Sequence, residues 1–234
     1  KSNKINKKEK KTKLSNNIIF NDIYYPALIN ANPVKNTCNL SKNMIITGPN
    51  ASGKTTILKT CLINVILSQQ FGCGTYSSAK LTPFKHIHCY LNIPDTSGRD
   101  SLFQAEARRC KEIIDSINGN DNDNNTHFCV FDELYSGTNP DEAVVSATAF
   151  MKYLYSFKNV TTMLTTHYID LCKQLETNNN MTNYHMDTNS NKDTNTFNYT
   201  YMLKKGISNV KGGFKVLADM NYPSEILNIC SKQI

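Results

Sequence analysis

The chain has 234 residues, 39% of them hydrophobic, with 12 Tyr and 10 Phe, enough for one large α/β domain or two small ones. No apolar run approaches the ~20 residues that cross a bilayer, no signal peptide is visible, and eight Cys lie scattered without C-x-x-C pairs. Composition therefore argues against a membrane protein, a disulfide framework and a zinc site, and the +7 charge is local: seven Lys before residue 14 against Glu9 leave the body at about +1.

Residues 1–17 read as a polar, disordered arm, either a solvated linker or a basic contact for nucleic acid phosphates. The chain does not begin with Met and reads as a piece of something longer. Ile18 to Leu28 is mixed and β-like, with Pro26 marking an edge or turn. Ala31-Asn32-Pro33 and Asn36-Thr37 are loop signals. Met44 to Ile46 is a short apolar run that predicts a buried strand. Thr55 to Ser68 then places Ile57, Leu58, Cys61, Leu62 and Val65 at helical spacing. After a Phe71–Gly74 break, His86 to Leu91 reads as a strand. Asp95–Gly98 is a turn, and Ser101 opens a helix to about Ile117.

Asn118 to Thr126 is low-complexity and expected to loop out. Phe128 to Phe131 predicts a fully buried strand, Asp141 to Phe157 a helix behind Asn139-Pro140, and Val160 to Thr165 another strand. A second Asn/Thr-rich stretch, Thr177 to Thr196, is expected to separate that strand from one at Phe197 to Leu203. Tyr222–Glu225 starts a last helix. This alternation predicts a single α/β domain over 18–234, a largely parallel sheet covered by helices, with the Asn-rich stretches inserted near 118–126 and 177–196. Ligands of such sheets sit at the carboxyl ends of the strands.

Three clusters of candidate chemistry fall at those ends. Gly48-Pro49-Asn50-Ala51-Ser52-Gly53-Lys54-Thr55 satisfies G-x-x-x-x-G-K-[ST], between a strand and a helix. Its glycines let successive N–H groups face one anion, and the helix adds its positive end. Lys54 is expected to reach the β- and γ-phosphates of a nucleoside triphosphate, and the Thr55 hydroxyl to ligate Mg²⁺. Asp132 and Glu133 follow four apolar residues, the arrangement called Walker B. The Asp is expected to hold Mg²⁺ opposite Thr55, and the Glu to orient and deprotonate a water. His167 ends the next apolar strand; it is either a structural histidine or a γ-phosphate donor. Ser101 is an N-cap or an anion contact, and local sequence leaves both open. His86 and His88 share one strand face, with no third metal ligand evident, so a packed face is expected.

In this order, these residues resemble the ATPase domain of the MutS family of DNA mismatch-repair proteins. Gly48 to Thr56 looks like that family's P-loop, including Pro49-Asn50, and Asp132 to Thr138 is similar to its D-E-x-x-x-G-T. Thr165-Thr166-His167-Tyr168 matches its T-H-Y switch, and Ser101-Leu102-Phe103-x-x-Glu106 resembles its S-T-F-x-x-E signature. Lys205-Gly206-Ile207-Ser208 with Gly213 through Ile226 looks like its closing motif. The likeness runs from about residue 20 to 230.

The resemblance implies a P-loop NTPase of ABC type that binds ATP and Mg²⁺ and works as a homo- or heterodimer with a second MutS-type ATPase domain. Each nucleotide would lie between the two domains, so Ser101 would contact the γ-phosphate held by the partner. Glu133 and His167 would complete catalysis. Asn30–Pro33 resembles the segment against adenine, which places Ile29 as an apolar floor and Tyr201 as the stacking ring. Leu102 stands where a Thr is usual, and Asp100 precedes the signature Ser. DNA contact would belong mainly to domains this chain lacks, in an intracellular, DNA-containing or viral setting. The alternative is a nucleotide-gated dimerising module with little turnover, acting in recombination or outside mismatch repair. A transporter-like ABC ATPase would carry an L-S-G-G-Q-type signature, and a P-loop kinase has no use for Glu133 and His167.

Overall fold

The computed structural model describes residues 18–91, 93, 101–119, 125–191, 196–208, 210 and 212–233. The Lys-rich arm, the turn expected at Asp95–Gly98 and the middle of the first Asn-rich stretch lie outside the described residues. In chain order come β1 (Ile19–Ile23), β2 (Asn36–Asn39), β3 (Asn43–Thr47), α1 (Lys54–Phe71), β4 (Ser78–Lys80) and β5 (His86–Tyr90). Next are α2 (Leu102–Asn118), β6 (His127–Asp132), α3 (Pro140–Leu154), β7 (Val160–Thr166) and α4 (Ile169–Leu175). The chain closes with β8 (Met181–Asn191), β9 (Thr196–Lys205), α5 (Gly213–Asp219) and α6 (Ser224–Gln233).

Six strands form the main sheet in the order β5-β6-β7-β3-β8-β9. The first five are parallel and β9 runs antiparallel to β8. A second, antiparallel sheet of three strands, β2-β1-β4, lies beside it. The apolar runs of the sequence follow from burial on both faces. Successive side chains of a strand point to opposite faces. Accordingly Ile45, Cys129, Phe131 and Leu164 join the core beneath α2, α3 and α4. Met44, Ile46, Phe128, Val130 and Met163 join the other core, with α1 and the small sheet.

The longer helices carry the local signals that set them. Gly53 caps α1 with φ 99°, and Gly72 closes it with φ 69°. Asn139 accepts from the Asp141 amide at 2.9 Å, and Pro140 opens α3. In α2 the buried Glu106, Cys110, Ile113 and Ile117 recur at helical spacing.

The helices and strands that the sequence signals lie within a few residues of the expected positions, and two stretches differ in kind. The Asn/Thr-rich stretch expected to separate two strands contains β8 itself, which pairs with the P-loop strand β3 from Asn43↔Met181 to Thr47↔His185. β3 pairs Met181 to His185 and β9 pairs Tyr184 to Asn191, so neighbouring backbone holds this polar stretch as a strand. Asn36-Thr37, a loop signal, likewise becomes β2 by pairing with β1. The short α4 and α5 and the three-residue β4 were not signalled.

Candidate nucleotide site

Strands β3, β6 and β7 lie side by side, so their carboxyl ends deliver Thr47-Gly48, Asp132-Glu133 and Thr166-His167 to one edge. A cavity of about 450 Å³ opens there, lined by Asn50, Ala51, Gly53, Lys54, Thr55 and Thr56 of the P-loop and by Asp132, Glu133 and Tyr201. From the other flank come Tyr90, Ile93, Leu102, Glu106 and Ser136. A second cavity of about 550 Å³ lies across the loop, with Gly48, Pro49, Asn50, Glu133 and His167 on one wall and Ser208, Val210 and Val216 on the other.

Lys54 is 5% exposed, and its ammonium donates to the carbonyls of Gly48 at 3.0 Å and Pro49 at 3.2 Å. It also lies 3.6 Å from Glu133 Oε1. The Thr55 hydroxyl donates to Asp132 Oδ2 at 2.9 Å, and the Thr165 hydroxyl donates to Asp132 Oδ1. Ser52 is fully buried, and its hydroxyl has no partner among the described residues. Lys54, Thr55 and the unpartnered Ser52 beside a helix N-terminus suit a polyphosphate. The Thr55–Asp132 pair suits Mg²⁺, which prefers one or two protein oxygens plus phosphate and water. Among the described residues no group of three His, Cys, Asp or Glu is placed to hold a metal ion.

Glu133 sits between two cationic or ionisable groups. His167 Nδ1 is 3.7 Å from Glu133 Oε1, an ion-pair distance rather than a short hydrogen bond. His167 first, then Lys54, hold the Glu133 carboxyl below the usual carboxylate range, while burial pulls the other way. The carboxylate is therefore ionised near neutrality, as a base must be. Its backbone is held too. Glu133 has φ 52° and Tyr135 φ 58°. Left-handed backbone at such residues costs about 1–2 kcal/mol each and persists where surroundings over-determine it.

Tyr201 also has positive φ, 57°, and its ring approaches so closely that a Cβ at Gly53 would lie 3.2 Å from Tyr201 Cδ1. Asn36, 6% exposed, holds the backbone at and just beyond that residue. Its amide donates to the Tyr201 carbonyl at 3.0 Å, and its Oδ1 accepts from the Leu203 amide at 2.7 Å. The Tyr199 hydroxyl donates to the Asn50 carbonyl at 2.9 Å, tying β9 to the P-loop. Ile29 is 59% exposed and lies outside the lining of both cavities. Ser101 adopts the N-cap option: its Oγ accepts from the Gln104 amide at 3.3 Å, and Gln104 Oε1 accepts from the Ser101 amide at 2.9 Å. The hydroxyl remains exposed at the head of α2, whose next residue, Leu102, lines the cavity.

Sequence reasoning gave no role to Asn36 or Tyr199, and quoted Thr165 and Glu106 only within motifs. No local signal marks Asn36; its partners lie 165 and 167 residues away. His86 and His88 form the packed face expected, and the missing member of that stack is His127, whose ring lies 4.6 Å from His86 and 5.2 Å from His88.

Residues 44–234 match the family model described as MutS domain V. The chain is 30% identical over 207 residues to MutS protein homolog 4 of Mus musculus, covering 83% of this chain and 21% of that protein. Against MutS protein homolog 4 of Homo sapiens, identity is 31% over 196 residues, covering 80% of this chain and 20% of that protein. Against Endonuclease MutS2 of Staphylococcus carnosus it is 25% over 215 residues, covering 90% and 26%. The chain thus spans about a fifth to a quarter of the length of these relatives.

Proposed function

Because the chain belongs to the MutS family and carries its domain V, an ATPase domain, we propose that it binds ATP with Mg²⁺ and hydrolyses it within a dimer whose two nucleotide sites each draw on both chains. One observation carries this reading: Glu133 is held between Lys54 and His167, beside the Thr55–Asp132 pair, on a cavity floored by the P-loop. Mg²⁺, when bound, neutralises charge on the β- and γ-phosphate oxygens. Lys54 leaves its carbonyl partners to do the same for the γ-phosphate. Glu133 accepts a proton from the attacking water as that oxygen bonds to γ-phosphorus and the bond to the bridging oxygen breaks. His167 orients Glu133 and donates to the γ-phosphate. Tyr201 stacks on the adenine, and the exposed Ser101 reaches the nucleotide of the partner.

Two MutS relatives are named homolog 4 and one an endonuclease. The proposal for the larger protein is that turnover drives movement on DNA, in mismatch repair or recombination, inside a cell. DNA contact falls to parts of the relatives' length that this chain does not span. No helix among the described residues is long and apolar enough to cross a membrane.

The test is mixing. In the protein carrying this chain, Ser101→Ala and Glu133→Gln are each expected to be nearly inactive in ATP hydrolysis. A mixed dimer has one site with both lesions and one with neither, so random pairing restores roughly a quarter of wild-type activity. No recovery, with active wild type, would refute the shared site. Absent or very slow hydrolysis in the wild-type protein, with ATP binding intact, would favour the nucleotide-gated module over the ATPase.

A further inference from the structure

We propose that Glu106 is a positioning residue that ties the turn carrying Glu133 to the helix headed by Ser101, so that the chain's own nucleotide site and the one it completes in its partner move as one unit. The inference rests on the dimeric reading above. Glu106 is 2% exposed, although its carboxylate belongs to an amphipathic helix and lines the cavity wall. Burying such a group is costly unless its lone pairs are used. Three donors come from one turn, and the Tyr90 hydroxyl faces the carboxylate as well. Glu106 Oε1 accepts from the Ser136 amide at 3.0 Å and the Ser136 hydroxyl at 2.9 Å, and Oε2 accepts from the Gly137 amide at 3.1 Å.

The turn that supplies those donors begins at Glu133, and two of its residues, Glu133 and Tyr135, hold left-handed backbone without being glycine. Strain of this kind needs outside anchors, and three are visible. Glu106 fixes Ser136 and Gly137. The Tyr135 amide points at the buried Tyr90 hydroxyl at 3.4 Å. The Glu133 amide donates to the Thr165 carbonyl at 3.1 Å. The turn also rests directly on the first turn of α2: a Cβ at Gly137 would lie 2.8 Å from both Leu102 Cγ and the Phe103 amide nitrogen. Leu102 follows Ser101. A displacement of Ser101 toward or away from a partner's nucleotide is therefore passed to Gly137, and through the Glu106 bonds to Glu133. The coupled element is physical and contiguous, and each end faces a different nucleotide.

Glu106→Gln tests this, because its amide NH₂ cannot accept from the Ser136 or Gly137 N–H that the carboxylate oxygen it replaces now serves. Turnover is expected to fall on the order of 10- to 100-fold, the scale of a misplaced catalytic group, with ATP affinity and thermal midpoint near wild type. Gly137→Ala, which pushes the turn off α2 and away from Glu106 while leaving the carboxylate's own chemistry unchanged, is expected to reproduce the loss. A parallel fall in ATP affinity or a collapsed thermal midpoint in both variants would reduce Glu106 to a structural residue and overturn the proposal.

Mixed dimers then separate the two directions. Paired with Glu133→Gln chains, the Glu106→Gln chain supplies the base at the sole competent site. Paired with Ser101→Ala chains, it supplies the partner-facing Ser instead. Coupling predicts that both mixtures fall well below the recovery of the Ser101→Ala and Glu133→Gln mixture. Full recovery in either mixture overturns it. If the Ser101→Ala and Glu133→Gln mixture itself fails to recover, the dimeric reading fails and the coupling fails with it. Glu106→Gln and Gly137→Ala would then report only on Glu133 within one chain.

Discussion

Strand β6 begins and ends with ionisable residues, and its two ends treat them in opposite ways. At the start, His127 is fully buried against His86 and His88, with rings inclined by only 15° and 13°. His88 Nε2 lies 3.0 Å from His127 Nδ1, so one shared proton satisfies the pair, and His127 Nε2 has no partner among the described residues. Burial first, then the neighbouring histidines, push His127 down to about 4. At the far end, Asp132 and Glu133 face Lys54, Thr55 and His167, and His167 is 46% exposed. There, nearby positive groups hold a carboxylate in its charged form. The stack keeps charge out, whereas the carboxyl end gathers it. Residue type alone separates neither; the neighbours do.

The contrast predicts that acid acts at the two ends through different readouts, stability at the stack and turnover at the carboxyl end. His127 is depressed in the folded chain relative to about 6.5 unfolded, so the unfolded chain binds the extra proton between those values. Stability is fully present above pH 6.5 and is lost as pH falls toward 4. Urea unfolding is expected to show a loss on the order of 2 kcal/mol between pH 7 and 5 from this residue. In His127→Phe the pH dependence over that window flattens; an unchanged slope would show that the stack is not the acid-sensitive element. A smaller effect is expected at the other end. His167→Ala removes the leading influence that lowers Glu133, so the acid limb of the turnover–pH profile shifts upward, with turnover at neutrality down on the order of tenfold, the scale of a half-exposed charge contact. An acid limb that stays put would assign the poise of Glu133 to Lys54 instead.

How far the sequence displayed all this depends on whether partners were close along the chain. The β3–P-loop–α1 unit and the ends of β6 and β7 are legible because each is a contiguous apolar run followed by its own functional residues. β8 was not, since its Asn- and Thr-rich composition argues against a strand until β3 and β9 are placed on either side. Within it, Met181, Asn183, Tyr184 and Met186 are buried, a mixture that no single-segment pattern marks as core. The same holds for function. Lys54 and Thr55 declare themselves through a motif. Glu106 acquires a role only when Ser136 and Gly137, about 30 residues on, close around it. Ser101 reads correctly as a cap, and the exposure of its hydroxyl is what leaves a second task open. Ile29 was placed by analogy with a motif; it is exposed and outside the lining of both cavities, so no contact of its own marks the role.

The measurement that bears most directly on the account is ATP binding and ATP turnover compared in Glu133→Gln. Lys54, Thr55, Asp132 and the P-loop are untouched in that variant, so binding is expected to stay near wild type while turnover falls on the order of 10²- to 10³-fold. Turnover equal to wild type would contradict Glu133 as the base and, with it, the reading of this edge of the sheet as a hydrolytic site.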